Sequence, residues 1–256
     1  ADALERGARK LTIGLGGSAV NDGGCGMAEA LGFIFMDEKG KAFLPVGINL
    51  DKIDRIIAPE HSLLVDLEVQ VLCDVHHVLT GPEGATFTFG PQKGIPQYEL
   101  EEIDRGMQNM AEIVKRDLGK AVAHIPGSGA AGGLGAACMA FLNGEMVSGT
   151  RKALEWTNME EAVKRADKVV TGEGKFDNTS LRGKLVSGVL DLCQQYGKPC
   201  FVVCGIDKLT SGVTEIPALK KVVAIRDLYE DDETAIEKTL EASEQIGYEL
   251  VKEQDD

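Results

Sequence analysis

Four segments gather the residue types that handle phosphate. In GLGGSAVNDGGCGMAEALG at 14–32, an apolar run passes into a glycine-rich loop and then a helical pattern. Consecutive backbone N–H groups at such a junction attract anions, and glycine lets phosphate oxygens approach the main chain. Gly16, Gly17, Ser18, Asn21 and Asp22 are the candidate contacts. The segment matches neither the Walker pattern nor a clean G-x-G-x-x-G with a ribose-binding acid. A tight turn closed by an Asn/Asp cap accounts for it equally well.

The second segment is CDVHHVLTGPEGATFTFGPQKG at 73–94. Asp74 falls at the end of an expected strand, where ligand-facing side chains of α/β proteins sit. Gly-Pro pairs at 81–82 and 90–91 set two turns, and Lys93 follows the second. His76 and His77 are adjacent, so on an extended chain they point to opposite faces and do not form a joint metal site. The third segment, IPGSGAAGGLGAACMAFL at 125–142, offers Gly127, Ser128, Gly129, Gly132 and Gly133 ahead of a small-residue helix. It reads as a second phosphate loop or as close helix packing.

The fourth segment, TGEGKFDNTSLRGK at 171–184, collects Glu173, Lys175, Asp177, Ser180, Arg182 and Lys184 at an expected strand-to-helix junction. Phosphoryl transfer needs such a mixture: carboxylates to hold Mg²⁺ and position a hydroxyl, and cations to offset charge on the moving phosphate. A solvated charge run is the alternative.

These segments need strands that end at a common edge. LTIGLGG (11–17), VQVLCDV (69–75), KVVTGEG (168–174), PCFVVCG (199–205) and VVAIRDL (222–228) are expected strands, apolar and mostly glycine-bounded, as in sheets covered on both faces. Helices are expected at 22–33, 98–118, 132–142, 183–197 and 233–253. In the second of these, Ile103, Met107, Met110 and Val114 form a core-facing stripe. In the last, Ile236, Leu240, Ile246 and Leu250 are expected to face the protein. Composition shifts near residue 150, from glycine loops to a cleaner strand–helix alternation, so an α/β protein of two domains is expected.

The net charge of −14 disfavours nucleic acid and anionic membranes as partners. No stretch reaches the ~20 apolar residues of a membrane span. The six cysteines include no C-x-x-C pair and lie mostly in apolar runs, which suits buried thiols in a reducing cytoplasm.

Taken in order, IGLGGSAVNDGG, CDVHHVLTGPEGA, FGPQKG, PGSGAAGGLGA and VVTGEGKFDNTSLRGK resemble the signature blocks of the bacterial-type glycerate kinases, over roughly residues 4–250. Members of that family begin further upstream, with D-S-F-K-G and D-G-G-E-G segments. This chain opens on Ala1 without them, and the resemblance therefore implies a missing N-terminal segment. It implies two α/β domains with the active site in a cleft between them. Residues 1–155 would be mostly the middle domain, and 156–256 the C-terminal half of a Rossmann-like domain, here incomplete. Two blocks depart from the family pattern. DVHHVLTGP stands where D-V-D-N-P-L-T-G-P is more common, which puts a metal role for Asp74 in doubt, and Thr179-Ser180 replaces Q-[ST] after Asp177.

The activity implied is ATP-dependent phosphorylation of D-glycerate, with Mg²⁺, at the 2- or 3-hydroxyl. From residue chemistry, Asp177 would orient or deprotonate the attacking hydroxyl. Lys93, Arg182 and Lys184 would hold the glycerate carboxylate or the moving phosphoryl group. Glu173 or Asp74 would hold Mg²⁺, and the two glycine loops would cradle phosphates, either one serving ATP. The sequence is compatible with a homodimer. A noncatalytic ligand-binding module stays open, whereas a nucleotide-dependent oxidoreductase lacks its ribose-binding acid and clean glycine fingerprint.

Overall fold

The computed structural model describes residues 2–60, 64–181, 183–209 and 216–252, and the chain divides into two compact units, 1–149 and 150–256. Both are α/β.

In the first unit, α1 (Asp2–Glu5) leads into β1 (Lys10–Gly14), α2 (Cys25–Ala30), β2 (Ile34–Met36), β3 (Arg55–Ile57) and β4 (Glu68–Leu72). Then come α3 (Ala85–Phe89), α4 (Leu100–Leu118), α5 (Ala130–Leu142) and β5 (Glu145–Val147). β1, β4 and β5 form a parallel sheet with β4 in the middle, while β2 and β3 pair as a separate antiparallel ribbon. Gly14 pairs with Leu72, and Leu72 with Val147, so all three parallel strands end level. The chain segments holding Leu15, Asp74 and Ser148 thus leave the sheet at one carboxyl edge.

The expected stripe on α4 is buried: Ile103, Met107, Met110 and Val114 pack with Phe33, Phe35 and Phe141 in one core. Phe33 meets Phe141 edge to face at 4.8 Å, a favoured aromatic geometry. Removing a side chain such as Met107 would cost about 2–5 kcal/mol through lost burial and the cavity left behind.

The second unit carries α6 (Gly149–Trp156), α7 (Met159–Arg165), β6 (Val169–Phe176), α8 (Leu185–Gln195), β7 (Cys200–Asp207) and β8 (Leu219–Ala224). It closes with α9 (Asp232–Glu237) and α10 (Thr239–Lys252). The strands form a parallel sheet in the order β6-β7-β8. Side chains alternate along β7 as extended chain requires. Cys200, Val202 and Cys204 pack with Val186, Val189 and Leu190 of α8, and Phe201 and Val203 pack with Ala242, Ile246 and Leu250 of α10. Cover on both faces explains the near-continuous apolar runs in this half.

Two expectations are corrected here. The last helix is two helices broken at Lys238, with Asp231 capping the first by accepting from Thr234 N at 2.7 Å. The break takes Ile236 and Leu240 off the packed face, leaving them 75% and 83% exposed. The buried stripe is Ala242, Ile246 and Leu250, at four-residue spacing. Strand β6 also runs past Gly174 to Phe176, so Lys175 joins Glu173 within it.

Candidate functional site

Beyond β1, Leu15 N donates to Leu72 O at 3.0 Å and the chain then leaves the sheet. The amides of Gly16, Gly17, Ser18, Ala19 and Val20 donate no hydrogen bond to the described residues. Gly16 and Gly17 are exposed, and a Cβ added to either would meet no atom within 4 Å. This is an open run of main-chain donors. Lys93, in a short turn at Pro91–Lys93, lies against it: its Nζ donates to Ser18 Oγ at 3.1 Å and to Val20 O at 2.7 Å. Burial pushes the lysine below its ordinary range, partly offset by the Asp22 carboxylate. A half-desolvated ammonium among unclaimed N–H groups is suited to an anion.

Asp22 turns back on its own chain. Its carboxylate accepts from Gly24 N at 2.9 Å and Gly26 N at 3.3 Å, which caps the start of α2. Asn21 is buried, its amide donating to Thr86 Oγ1 at 3.0 Å, yet its Oδ1 has no partner. Buried polar atoms are almost always paired, and exceptions mark a missing water, ion or ligand.

The second glycine loop is built differently. Ser128 N donates to Ile125 O, Gly129 N to His77 O and Ala130 N to Gly127 O, and Ser128 Oγ donates to Ala123 O. The amides of Ser128, Gly129 and Ala130 are thus engaged inside the unit. Ala131, Gly132 and Gly133 have φ of 52°, 69° and 93°, a left-handed kink at the head of α5. There Gly132 O accepts from Gly23 N at 3.0 Å. A Cβ on Gly132 would stand 2.0 Å from Val20 O, and one on Gly133 would stand 2.7 Å from Gly23 Cα. Gly129 is equally hemmed in, by Val78 O at 2.1 Å, whereas a Cβ on Gly127 would meet the flexible end of Met146 at 2.6 Å. These glycines pack the second loop against the protein and hold the first in place.

At the carboxyl edge of the same sheet, Asp74 is exposed and its Oδ1 accepts from Ser148 Oγ at 2.8 Å. His77 is used structurally, its Nδ1 lying 3.1 Å from Glu83 O and its ring edge-on to Phe89. His76 is exposed. Among the described residues, no three His, Cys, Asp or Glu side chains gather as a metal-holding group.

In the second unit the loop after β6 is pinned by its own side chains. Asp177 accepts from Thr179 N at 2.9 Å and pairs with Lys175 at 2.8 Å. The Lys175 ammonium, then the Thr179 hydroxyl and amide, hold the Asp177 carboxyl well below the usual carboxylate range. Ser180 is fully buried; its Oγ accepts from Asp177 N at 3.0 Å and donates to Lys175 O. Lys184 stands 3.5 Å from Glu173 Oε2, while Glu173 Oε1 is buried with no partner. Arg182 lies outside the described residues.

Sequence reasoning did not single out Thr86 or Ser148. Each is a lone hydroxyl, joined to its partner 65 and 74 residues away, with no local pattern to mark it.

The glycerate kinase family model matches residues 1–253. The chain is 42% identical over 205 residues to a glycerate kinase of Halalkalibacterium halodurans, covering 80% of this chain and 54% of that protein. It is 41% identical over 204 residues to glycerate 2-kinase of Escherichia coli, covering 79% of this chain and 54% of that protein. It thus spans about half the length of the curated relatives it matches. A crystal structure of a candidate glycerate kinase 2 from Salmonella typhimurium LT2 superposes with a TM-score of 0.72 at 33% identity, covering 95% of this chain and 67% of that one. The open loop and its lysine, the packed second loop and the pinned Asp177 therefore belong to a member of the glycerate kinase family.

Proposed function

We propose that the protein phosphorylates D-glycerate with ATP, releasing ADP and a phosphoglycerate. The observation that carries this reading is the open loop at Gly16–Val20, whose amides are unclaimed and whose flank is closed by Lys93. Such a site takes a phosphate or a carboxylate, the two anions of this reaction. Phosphoryl transfer depends on positioning and charge neutralisation more than on covalent chemistry, and these residues supply both.

Lys93 neutralises the anion, and Gly16, Gly17 and Ser18 bind it through the main chain. Asn21 Oδ1, below them, accepts from a bound hydroxyl or a water. Asp22, Gly127, Ser128, Gly129, Gly132 and Gly133 shape the loop from behind. In the second unit, Asp177 orients the attacking hydroxyl as an acceptor. Lys175 and Thr179 hold its carboxyl below the usual range, so it is ionised and ready to accept from that hydroxyl. Lys184 and Arg182 supply further positive charge.

Mg²⁺ asks for one or two carboxylates and fills its shell with phosphate and water. Each unit offers one such carboxylate: Asp74, exposed at a strand end, or Glu173, with one unpartnered oxygen. When bound, the ion would neutralise phosphate charge. No helix of the described residues is long and apolar enough to cross a membrane. The free, largely buried cysteines fit a reducing cytoplasm.

The test is ADP release by purified chain, and by a version extended at its N-terminus to the relatives' length, with ATP–Mg²⁺ and D-glycerate. Glycerate-dependent ADP release that falls at least ~100-fold in Lys93→Met is expected, the loss of a charge-assisted contact. Absence of glycerate-dependent release in both proteins would end this reading.

A further inference from the structure

Between Leu15 and Gly23 the chain crosses the candidate site with little main-chain support. Leu15 N donates to Leu72 O and Gly23 N to Gly132 O, each at 3.0 Å, and no amide from Gly16 to Asp22 donates to the described residues. Among those residues, two side chains from elsewhere in the fold hydrogen-bond to this stretch, and both belong to one segment. Lys93 Nζ donates to Ser18 Oγ and Val20 O. Thr86 of α3 receives the Asn21 amide, Nδ2 donating to its Oγ1 at 3.0 Å.

That segment is itself fixed. Both carboxylate oxygens of the buried Asp104 accept from Gly81 N at 3.1 Å, which ties its start to α4. Gly90 N donates to Thr86 O and Lys93 N to Gly90 O, so two main-chain bonds join the threonine to the lysine. A Cβ on Gly90 would stand 2.3 Å from Thr86 O, so the junction is tightly packed.

The two contacts differ in kind. Lys93 carries the charge that an anion draws toward itself. Thr86 is fully buried and Asn21 nearly so, which leaves their bond free of competition from water. A hydroxyl both donates and accepts, so it holds this amide whichever end faces it. Main-chain donors bind well only when held to within about 0.5 Å by such supporting contacts.

We propose that Thr86 is a positioning residue for the open loop: through Asn21 it holds the Gly16–Asp22 main chain where its amides and Lys93 meet the same anion. The identity of that anion, as a phosphate of ATP or the glycerate carboxylate, rests on the kinase reading above; the hold does not.

Calorimetric titration with inorganic phosphate, ADP and D-glycerate tests this. Thr86→Val keeps the side-chain shape and removes the hydroxyl, and Thr86→Ala takes its place if it does not fold by circular dichroism. Either should raise the dissociation constant of phosphate, and of whichever substrate takes the loop, about 10-fold, with Thr86→Ser recovering it to within about 3-fold. Asn21→Ala should match that loss, and adding Thr86→Val to it should cost nothing more. Val114→Ala, in the core of the same unit, should lower the urea midpoint and leave these affinities unchanged. In turnover, Thr86→Val should raise the KM of one substrate by the same factor.

A parent chain that binds none of the three overturns the proposal. So does unchanged affinity in Thr86→Val, a loss that Thr86→Ser does not recover, an equal further loss in the Asn21→Ala background, or the same loss in Val114→Ala. Glycerate-dependent turnover with both KM values unchanged in Thr86→Val overturns the hold and leaves the kinase. Anion binding weakened in Thr86→Val, with no turnover in any protein, supports the hold and removes the kinase.

Discussion

Replacing Gly132 with alanine tests the division of labour between the two glycine loops. The added Cβ would lie 2.0 Å from Val20 O and 2.9 Å from Asn21 Cα, at a backbone φ of +69°. A left-handed conformation costs an L side chain about 1–2 kcal/mol. Overpacking adds about 1–3 kcal/mol, and the obstructing atoms are main chain that cannot rotate aside. The sum is a destabilisation of about 2–5 kcal/mol. Gly16→Ala supplies the contrast: no atom lies within 4 Å of its Cβ and its φ is outside the left-handed region, so its cost should stay within about 0.5 kcal/mol. Gly17→Ala, open but at φ +61°, should fall between, near 1 kcal/mol. Urea unfolding followed by far-UV circular dichroism reads all three, as a shift in midpoint at unchanged slope. Phosphate or ADP titration of the folded variants then separates structure from binding, since Gly16→Ala should weaken anion binding while leaving stability alone. A Gly132→Ala protein as stable as the parent, or a Gly16→Ala protein as damaged as Gly132→Ala, would refute the packing argument.

The remaining predictions concern titrating groups. Lys93 loses its proton at a lower pH than the ordinary 10.5 because burial disfavours the charged form. Anion affinity should therefore fall on an alkaline limb below pH 10.5, absent in Lys93→Met. Its effect on stability has the opposite sign: the unfolded chain holds the proton longer, so this group's contribution rises with pH through the lowered pKa. Asp177 contributes stability above its unfolded value of 3.8, lost as pH falls through its depressed folded value. Acid unfolding of Asp177→Asn and parent should converge at strongly acid pH, and the pH–rate profile of the parent should show no Asp177 limb from pH 5 to 8. Burial pushes the thiols of Cys138 and Cys204 up to about 11 and Cys200 to about 12. An aromatic disulfide reagent at pH 8 should therefore modify the half-buried Cys73 first and reach those three only on unfolding.

Local patterns were legible in the sequence because they are repeated over many residues. The α4 stripe recurs over three turns, and β7 is long enough to show cover on both faces. β2, β3 and β5 were not legible, since three residues carry no period. The break at Lys238 was hidden by good helix formers on both sides, so spacing alone continued one helix through Leu240. The site was legible as motifs and not as contacts. Ser18–Lys93, Asn21–Thr86 and Asp74–Ser148 join residues 75, 65 and 74 apart, and nothing local encodes such distances.

The two glycine-rich loops look alike as sequence, and composition cannot assign them different work. What separates them is chiefly the space around their glycines, and with it how many of their amides are already engaged. In the second loop the amides of Ser128, Gly129 and Ala130 are spent on the Ile125, His77 and Gly127 carbonyls, and Cβ atoms added at Gly129, Gly132 and Gly133 would strike main chain. Around Gly16–Val20 the donors are unspent, and the space above Gly16 and Gly17 is open. The same accounting applied to side chains finds two buried oxygens without partners among the described residues, Asn21 Oδ1 and Glu173 Oε1. One lies under the open loop, and the other belongs to Glu173 of β6, beside Lys184 at the head of α8. Leaving such an atom unpaired costs about 1–3 kcal/mol. Asn21 Oδ1, beneath the open loop, recovers that cost by accepting from a bound hydroxyl or a water.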